Sequence, residues 1–469
     1  MDPKSFRINF NIIGRIDKLT SSIPIMNPID FIHNLHWDQI PSPVQHQLKR
    51  CLLDTIGTAI GGRKTELSQI IYDFSCDTFG GKGAFLWIDG REVSPVGAVL
   101  AHGMTIDALD IHDNFNAAKG HAGVSVAPAT LATLGLKPGT IISGRELLTT
   151  LAVGYEIALR AGIVLHATTC DYHSSGAWNA LGCAAIVARR LSLDTETTRH
   201  ALGIAEYHGP RSQMMRVIDH PTMLKDGSGW GAMVGVSAGL LAQRGFTGAP
   251  ALTVESIDIS KYWADIGTRW YLLEQDFKRH AVCHWAQPPI AGTLDLLQKH
   301  HILPEEIKQI QVFSFHEATR LDCRKPNTTD QAQYSLPFPV AAAVIHDQLG
   351  PDELSNKGLK DQRVLKLANR IKISEDDYCN AQFPDVQLAR VCITTLNGRT
   401  FETGYVESPW DLSIISQPHQ PPDQELREKF HWLALGRLAP ERVTALDDII
   451  WNCDSLPNVE VLTKLLISS

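Results

Sequence analysis

The sequence predicts a mainly α protein with an inserted α+β domain, that is, a large helical bundle domain carrying an antiparallel-sheet lid domain. Three observations predict it. The chain has 469 residues, more than one ordinary core holds. From about Pro28 to Tyr262 the apolar residues recur at helical spacing with few charges between them. After about Asp265 the text changes to short alternating runs, one of them closed by Asn397-Gly398, a strong hairpin-turn signal. The expected organisation is an N-terminal extension over 1–26 and a first helical part over 27–265. The lid follows over 266–408, and the chain returns to the helical domain over 409–469.

The elements follow in order. Pro43 through Ile60 places Val44, Leu48, Cys51, Leu52 and Ile56 on one helical stripe and stops at Gly61-Gly62. Ser143-Gly144-Arg145-Glu146 reads as a capping box. The helix it opens aligns Leu147, Leu148, Leu151, Tyr155, Ala158 and Leu159. Further helices are expected over Ala177–Leu191 and Gly231–Arg244. The second is rich in Gly, Ala and Ser, which lets helix backbones approach closely. Ile307–Phe315, Gln387–Thr395 and Thr400–Val406 read as strands of an antiparallel sheet, with a helix near Pro339–Gln348 between them. The Gln- and Pro-rich stretch Ser416–Asp423 is a loop. Helices over Asp423–Ala434 and Pro440–Leu446 return to the first bundle.

Composition narrows the function. Hydrophobic residues are 44% and charged residues 20%, which is globular usage. The net charge is −8 and no run of Lys and Arg exceeds two, so a nucleic-acid partner is not expected. Nine scattered cysteines without a Cys-x-x-Cys pair argue for reduced, buried thiols rather than a disulfide framework, a zinc site or an iron–sulfur cluster. No uninterrupted apolar run reaches the roughly 18 residues of a membrane span. Met1 to Ser22 carries Lys4, Arg7, Arg15 and Lys18 beside Asp2 and Asp17, without the apolar core of a signal peptide. A cytoplasmic protein is expected, with a mitochondrial transit segment as the alternative. Gly-x-Ser-x-Gly, His-Glu-x-x-His and a good Gly-x-Gly-x-x-Gly are absent, against a hydrolase elbow, a zincin and a Rossmann enzyme.

The densest polar cluster is Asp107-Ala108-Leu109-Asp110-Ile111-His112-Asp113-Asn114-Phe115, followed by Lys119-Gly120-His121. Asp107, Asp110 and Asn114 share one face if the preceding helix continues. Acid/base chemistry with His121 is one reading. A metal site using Asp110, His112, Asp113 or His121 is a second, and a solvated helix end is the bland one. His173 precedes Ser174-Ser175-Gly176 and a helix start, where free N–H groups favour an anion; the alternative is a plain loop histidine. Lys225 opens Lys225-Asp226-Gly227-Ser228-Gly229, which lacks Walker spacing and is otherwise a solvated loop. Lys278-Arg279-His280 and His284 are either site residues or a surface basic cluster. His208 and Arg211, flanking a Gly-Pro loop, are weaker candidates.

Together these segments resemble the MmgE/PrpD family over nearly the whole chain, from about Asn27 to Leu465. The strongest part is Ala101–Pro128, with its Asp-x-x-Asp core followed by Gly-His. The segments around His173, Lys225 and Lys278 follow, and Gln333-Tyr334-Ser335-Leu336-Pro337-Phe338 matches the stretch that packs on the family's cleft. The resemblance implies a helical domain with an α+β lid, a homodimer, no cofactor, and a small polycarboxylate as substrate. It places Asp110, Asn114, His121, His173, Lys225 and Lys278 in the active cleft, with Asn114, Lys225, Lys278 and Phe338 binding the substrate. Asn114 stands for the usual Thr or Ser, His112 for an acid or Asn, and Ala122 for Pro. Phe338 stands where the family's decarboxylase has a tyrosine, and the Asp110-to-His121 spacing matches the family's epimerase.

The family's reactions share one step: a proton or carbon dioxide leaves next to a carboxylate, and enolate-like charge must be stabilised. Cations near that carboxylate and a base tuned near neutrality serve this. Lys225 and Lys278 suit the first role. His173 is the expected base, with His121 next, and Asp110 orients a histidine or acts itself. Dehydration of a hydroxy-polycarboxylate of the 2-methylcitrate type is the first expectation. Epimerisation of an iminodisuccinate-like substrate and decarboxylation of cis-aconitate are the alternatives. A metal-dependent enzyme and an inactive scaffold remain open.

Overall fold

Helix α1 (Ser42–Gly62) begins at Pro41, with Pro43 in its first turn, where a missing N–H is harmless. Helix α2 (Pro95–Asp107) is capped by the Ser94 hydroxyl, which accepts from the Gly97 N–H at 3.2 Å. Every residue of α2 from Gly97 onward is buried. Helices α3 (Gly123–Ala132), α4 (Gly144–Thr168), α5 (Gly176–Leu191) and α6 (Ser228–Gln243) complete the bundle around it. The computed structural model describes residues 27–410 and 420–467. The expected extension over 1–26, and Ser416 to His419 of the expected Gln- and Pro-rich loop, lie outside the described residues.

The small residues of α6 do what their size suggests. A Cβ on Gly235 would stand 2.3 Å from the Ala180 carbonyl of α5, and one on Gly239 would stand 2.4 Å from the Val187 side chain. The two helices therefore meet backbone to backbone, and α6 also packs on α2. Ser143 caps α4 by accepting from the Glu146 N–H at 3.2 Å. The second half of the expected capping box is absent: Glu146 instead takes Arg189 at 2.9 Å through both of its oxygens. Helix α4 has the length and apolarity of a membrane span, yet it is buried among α3, α5 and the N-terminal and C-terminal segments.

The second core begins after Lys278. Helix α7 (Gln287–His300) and helix α8 (Pro337–His346) lie against a four-stranded sheet. Its strands are β1 (Ile307–Ser314), β2 (Ile371–Glu375), β3 (Ala389–Thr395) and β4 (Thr400–Glu402), in the order β2-β1-β3-β4. β1 pairs antiparallel with β3 (Val312 opposite Val391), and β3 pairs antiparallel with β4 across the Asn397-Gly398 turn, where Gly398 takes φ +84°. The sheet is not wholly antiparallel. β2 runs parallel to β1, with Ile310 opposite Ile371, and returns there through the intervening helices. The last strand also ends at Glu402, short of the expected Val406, which makes only an isolated bridge to Ala389.

Helices α9 (Asp423–Ala434), α10 (Pro440–Trp451) and α11 (Glu460–Ile467) carry the chain back onto the first core. Phe430 of α9 sits against Gly57 of α1, where a Cβ would come within 2.9 Å of its ring. Lys429 is buried beside it and donates to Asp54 at 2.5 Å and to the Ile111 carbonyl at 2.6 Å. One apolar cluster thus joins residues from Phe31 to Phe277 with Trp410 and the C-terminal helices. The other spans Ala281 to Ile393 and takes in Leu109, Ile111, Met214, Val217 and Ile218. Asp110 lies between two residues of that second cluster, so the polar segment after α2 runs along the seam.

Candidate active site

Helix α2 ends at Asp107 and does not continue through the polar cluster, so Asp107, Asp110 and Asn114 do not form a helical face. Asp110 takes φ +49°, a left-handed conformation that aspartate tolerates better than most side chains. That turn redirects the chain. Asn114 then forms a two-way backbone bridge with Asp276, N–H to carbonyl at 2.9 and 2.7 Å. The bridge brings Lys278 of the following segment onto Asp110: its Nζ donates to the Asp110 carboxylate and, at 3.0 Å, to the Asp110 carbonyl. Lys278 is fully buried, as are His280 and His284 nearby, and only Arg279 is exposed; these residues are not a surface basic cluster.

His121 approaches from the other side. Gly120 lets it do so, because a Cβ there would collide with the Ser175 hydroxyl at 2.2 Å. The Ser175 Oγ accepts from the His121 N–H at 3.1 Å and donates to Asp226 Oδ2 at 3.0 Å. His121 Nδ1 lies 2.7 Å from the Asp113 carbonyl. A carbonyl only accepts, so Nδ1 carries the proton and Nε2 presents a lone pair. That lone pair faces two carboxylates, Asp110 Oδ1 at 3.9 Å and Asp226 Oδ2 at 3.8 Å. Burial, then Lys278 and His112, holds the His121 imidazole well below its ordinary range, so it is neutral.

The two carboxylates titrate apart. Burial alone would raise Asp110, but Lys278 and Lys225 outweigh it and hold it below the usual carboxylate range. Asp226 is pushed up to about 7, first by burial and then by the charges of Asp107 and Asp110. Beneath them lies Asp113, raised to about 6 by burial, whose Oδ2 accepts from the Tyr155 hydroxyl at 2.7 Å and from the Gly123 N–H at 3.3 Å. The His112 ring stands edge-on to His121, 4.5 Å between centroids, with its Nδ1 3.3 Å from the same Asp113 carbonyl. Among the described residues no group of three or more His, Cys, Asp and Glu side chains is placed to hold a metal ion.

Lys225 comes from the loop before α6, with φ +50°. It is buried, donates to the Gln333 side chain, stands 3.8 Å from Asp330 and lies over the Tyr334 ring at 4.9 Å. Gln333 in turn donates to the Ala108 carbonyl at 2.8 Å, tying the second core to the end of α2.

Part of this cluster lines a void of about 20 Å³, room for about one water. Asp110, Asn114, His121, Asp226, Cys283 and His284 are in its wall, with Lys119, Tyr172 and Gln387 toward its mouth. The Asn114 amide Nδ2 is buried there without a hydrogen-bond partner. Burial pushes the Cys283 thiol up to about 12, so it is no nucleophile at neutral pH.

Four expected residues are not in that wall: Lys278, which stands on the Asp110 carboxylate, Lys225, which stands on Gln333, His173 and Phe338. His173 is buried, but its backbone N–H donates to His166 Nε2 at 3.2 Å and its ring stands 6.4 Å from that of His166. The bridge of His173 to Gln213 holds it beside this neighbour instead. Phe338 sits in the first turn of α8 and is fully buried in the second core, packed with aliphatic residues away from the void. Asp226 and Ser175 were missed, although both lie inside segments that the sequence marked; nothing in a one-dimensional reading ranks Asp226 above the lysine before it.

Residues 29–257 match the model of the MmgE/PrpD N-terminal domain, and residues 280–455 match that of the MmgE/PrpD C-terminal domain. The cis-aconitate decarboxylase of Homo sapiens is 24% identical over 93% of this chain and 92% of its own. That of Mus musculus is 23% identical over 93% and 91%. That of Aspergillus terreus is 23% identical over 92% and 94%.

Proposed function

Because the chain belongs to the MmgE/PrpD family, we propose that it is a carboxy-lyase that removes carbon dioxide from a small unsaturated polycarboxylate of the cis-aconitate type. One observation carries this reading: a buried ammonium, Lys278, stands on Asp110 beside a void whose wall also holds an unspent amide, Asn114. A second buried ammonium, Lys225, lowers the same carboxylate from behind. Paired cations in a dry site favour a substrate with several carboxylates, and they do so more strongly as negative charge spreads in the transition state.

The chemistry is an allylic decarboxylation. The bond between the leaving carboxylate and its carbon breaks, and carbon dioxide departs. Its electron pair moves into the neighbouring double bond and gives a carbanion delocalised onto a second carboxylate. That charge grows in the void beside the Lys278–Asp110 pair, and one proton then closes the reaction. Asn114, with both an amide donor and an acceptor, orients a substrate oxygen at the start of this path.

The relatives described above are decarboxylases, which moves the reading away from the dehydration that the sequence suggested first. Dehydration keeps one support, since a neutral amide such as Asn114 is suited to hold a hydroxyl. The deciding experiment incubates the purified protein with cis-aconitate, 2-methylcitrate and related hydroxy-, unsaturated and amino-polycarboxylates in deuterium oxide, followed by NMR. The expected result is loss of one carboxyl carbon with one deuterium gained from solvent. Loss of water, or deuterium exchange without net product, would reassign the reaction.

A further inference from the structure

The reaction needs a proton donor, and the groups first expected to provide it do not. His121 is neutral with a bare Nε2. His173 is outside the wall of the void. Lys278 and Lys225 are each committed to a partner on the seam. Resting on the lyase reading above, we propose that Asp226 is the catalytic acid, a carboxylic acid whose proton quenches the substrate carbanion.

The argument is geometric first. Asp226 is nearly fully buried, at 3% exposure, in the same wall as Asp110 and Asn114. Its position is fixed by its own backbone: its carbonyl accepts from the Gly176 N–H at 3.1 Å, joining the loop before α6 to the start of α5. Ser175 occupies Oδ2 at 3.0 Å and the Tyr334 hydroxyl approaches Oδ1 at 3.5 Å. Two carboxylates thus flank the His121 lone pair, and only one of them, Asp110, has an ammonium on it. Two neighbouring buried carboxylates with one close counter-charge hold one proton between them, and it resides on the unpaired member.

The surrounding charges agree. Asp107 and Asp110 favour the protonated form, while Lys278 and the Ser175 hydroxyl oppose it. Besides His121, whose imidazole is neutral, the other titratable groups facing Asp226 are Tyr172, Tyr334 and Cys283. Burial raises each of them, so all three are uncharged near neutrality. The balance leaves Asp226 near 7, where an acid can both give a proton and regain it.

The step balances. The O–H bond of Asp226 breaks, a C–H bond forms on the carbanion, and the bonding pair stays on Asp226 as carboxylate. Solvent water returns one proton per carbon dioxide released. The void has room for the water that passes it, and the 3.8 Å gap to His121 Nε2 is one that a water or a small closing motion spans.

The test compares wild type with Asp226→Asn, which keeps the shape and the Ser175 contact. Two readouts are used. In steady-state kinetics on whichever panel substrate turns over, Asp226→Asn is expected to lower kcat by about 10²–10⁴, to change KM little, and to lose the fall in rate above pH 7. In infrared difference spectra between pH 5 and pH 9, wild type is expected to lose a protonated-carboxyl band that is missing in the variant. A variant with kcat within tenfold of wild type and the same alkaline fall, or a wild type without that band, overturns the proposal. If wild type turns over no member of the panel, the lyase reading fails. The infrared band then decides the acid by itself, supporting it if present and overturning it if absent.

Discussion

Lys278→Met would leave the Asp110 carboxylate buried without the ammonium that holds it down. Stranding one member of a buried pair typically costs about 3–5 kcal/mol, and urea unfolding is expected to show a loss of that size. The sign with pH is fixed by the direction of the shift. Asp110 has a depressed folded pKa, so its stabilisation is present above the unfolded carboxylate pKa and is lost as pH falls through the folded value. The variant should therefore lie furthest below wild type near neutrality and converge on it in acid. A second pair of variants separates the histidines. His121→Ala is expected to lose about 10²–10⁴ in turnover, whereas His173→Ala should stay within about tenfold of wild type in the same kinetic assay. The sequence brought Asp110, Asn114, His121 and Lys278 together as candidates because their residue types and their family resemblance agree, and the structure gathers them at the seam. The sequence does not show that His173 stands beside His166 and outside the wall of the void, because a histidine before a helix start looks the same in either case.

At the scale of the element, α4 carries a buried ionisable pair in its middle. Glu156 is raised to about 7 by burial, although Arg160 at 3.3 Å and the Leu272 N–H at 2.9 Å both oppose the rise. Its folded pKa exceeds its ordinary value of 4.5, so the unfolded chain releases the proton first as pH rises. The contribution of Glu156 is therefore fully present below 4.5 and falls away up to about pH 7. Relative to wild type, the melting temperature of Glu156→Gln is expected to rise across that interval and then level off. The α5–α6 contact gives a sharper steric test. Gly235→Val places a branched side chain where even a Cβ meets the Ala180 carbonyl at 2.3 Å. Denaturant unfolding is expected to show a loss of about 1–3 kcal/mol or more. This close approach was legible from the Gly, Ala and Ser of α6. Strand β2 was not: Ile371-Lys372-Ile373-Ser374-Glu375 is a short edge strand with three polar residues in five, and its parallel partner lies some 60 residues earlier. The end of α2 was equally hidden, because nothing local announces that Asp110 takes a positive φ.

Over the whole molecule, two apolar cores meet along a polar seam, and the candidate site lies in that seam. A void of about 20 Å³ is far below the roughly 300–1,000 Å³ of ordinary ligand pockets. A substrate of the proposed class would therefore need the seam to part. The bonds that hold its mouth are few. The Asn116 amide donates to the Pro384 and Asp385 carbonyls at 3.1 and 2.8 Å, and its oxygen accepts from Gln387 at 2.8 Å. Asn116→Ala removes all three, and amide hydrogen exchange is expected to quicken over residues 385–387 while the two cores stay protected.

The return of the chain to its first core sets an order of events during synthesis. Asp54 waits for Lys429, a partner 375 residues later. Until α9 has left the ribosome, the Gly57 face of α1 has no Phe430 to cover it. The N-terminal two-thirds of the nascent chain must therefore travel incomplete, with an apolar helix face open and a carboxylate uncompensated. The strands of the second core close among themselves by residue 402, although that core also waits for Leu433 of α9. The first core of this protein is thus sealed by α9 to α11, and a chain cut short before them exposes to chaperones and proteases a surface that these helices otherwise cover.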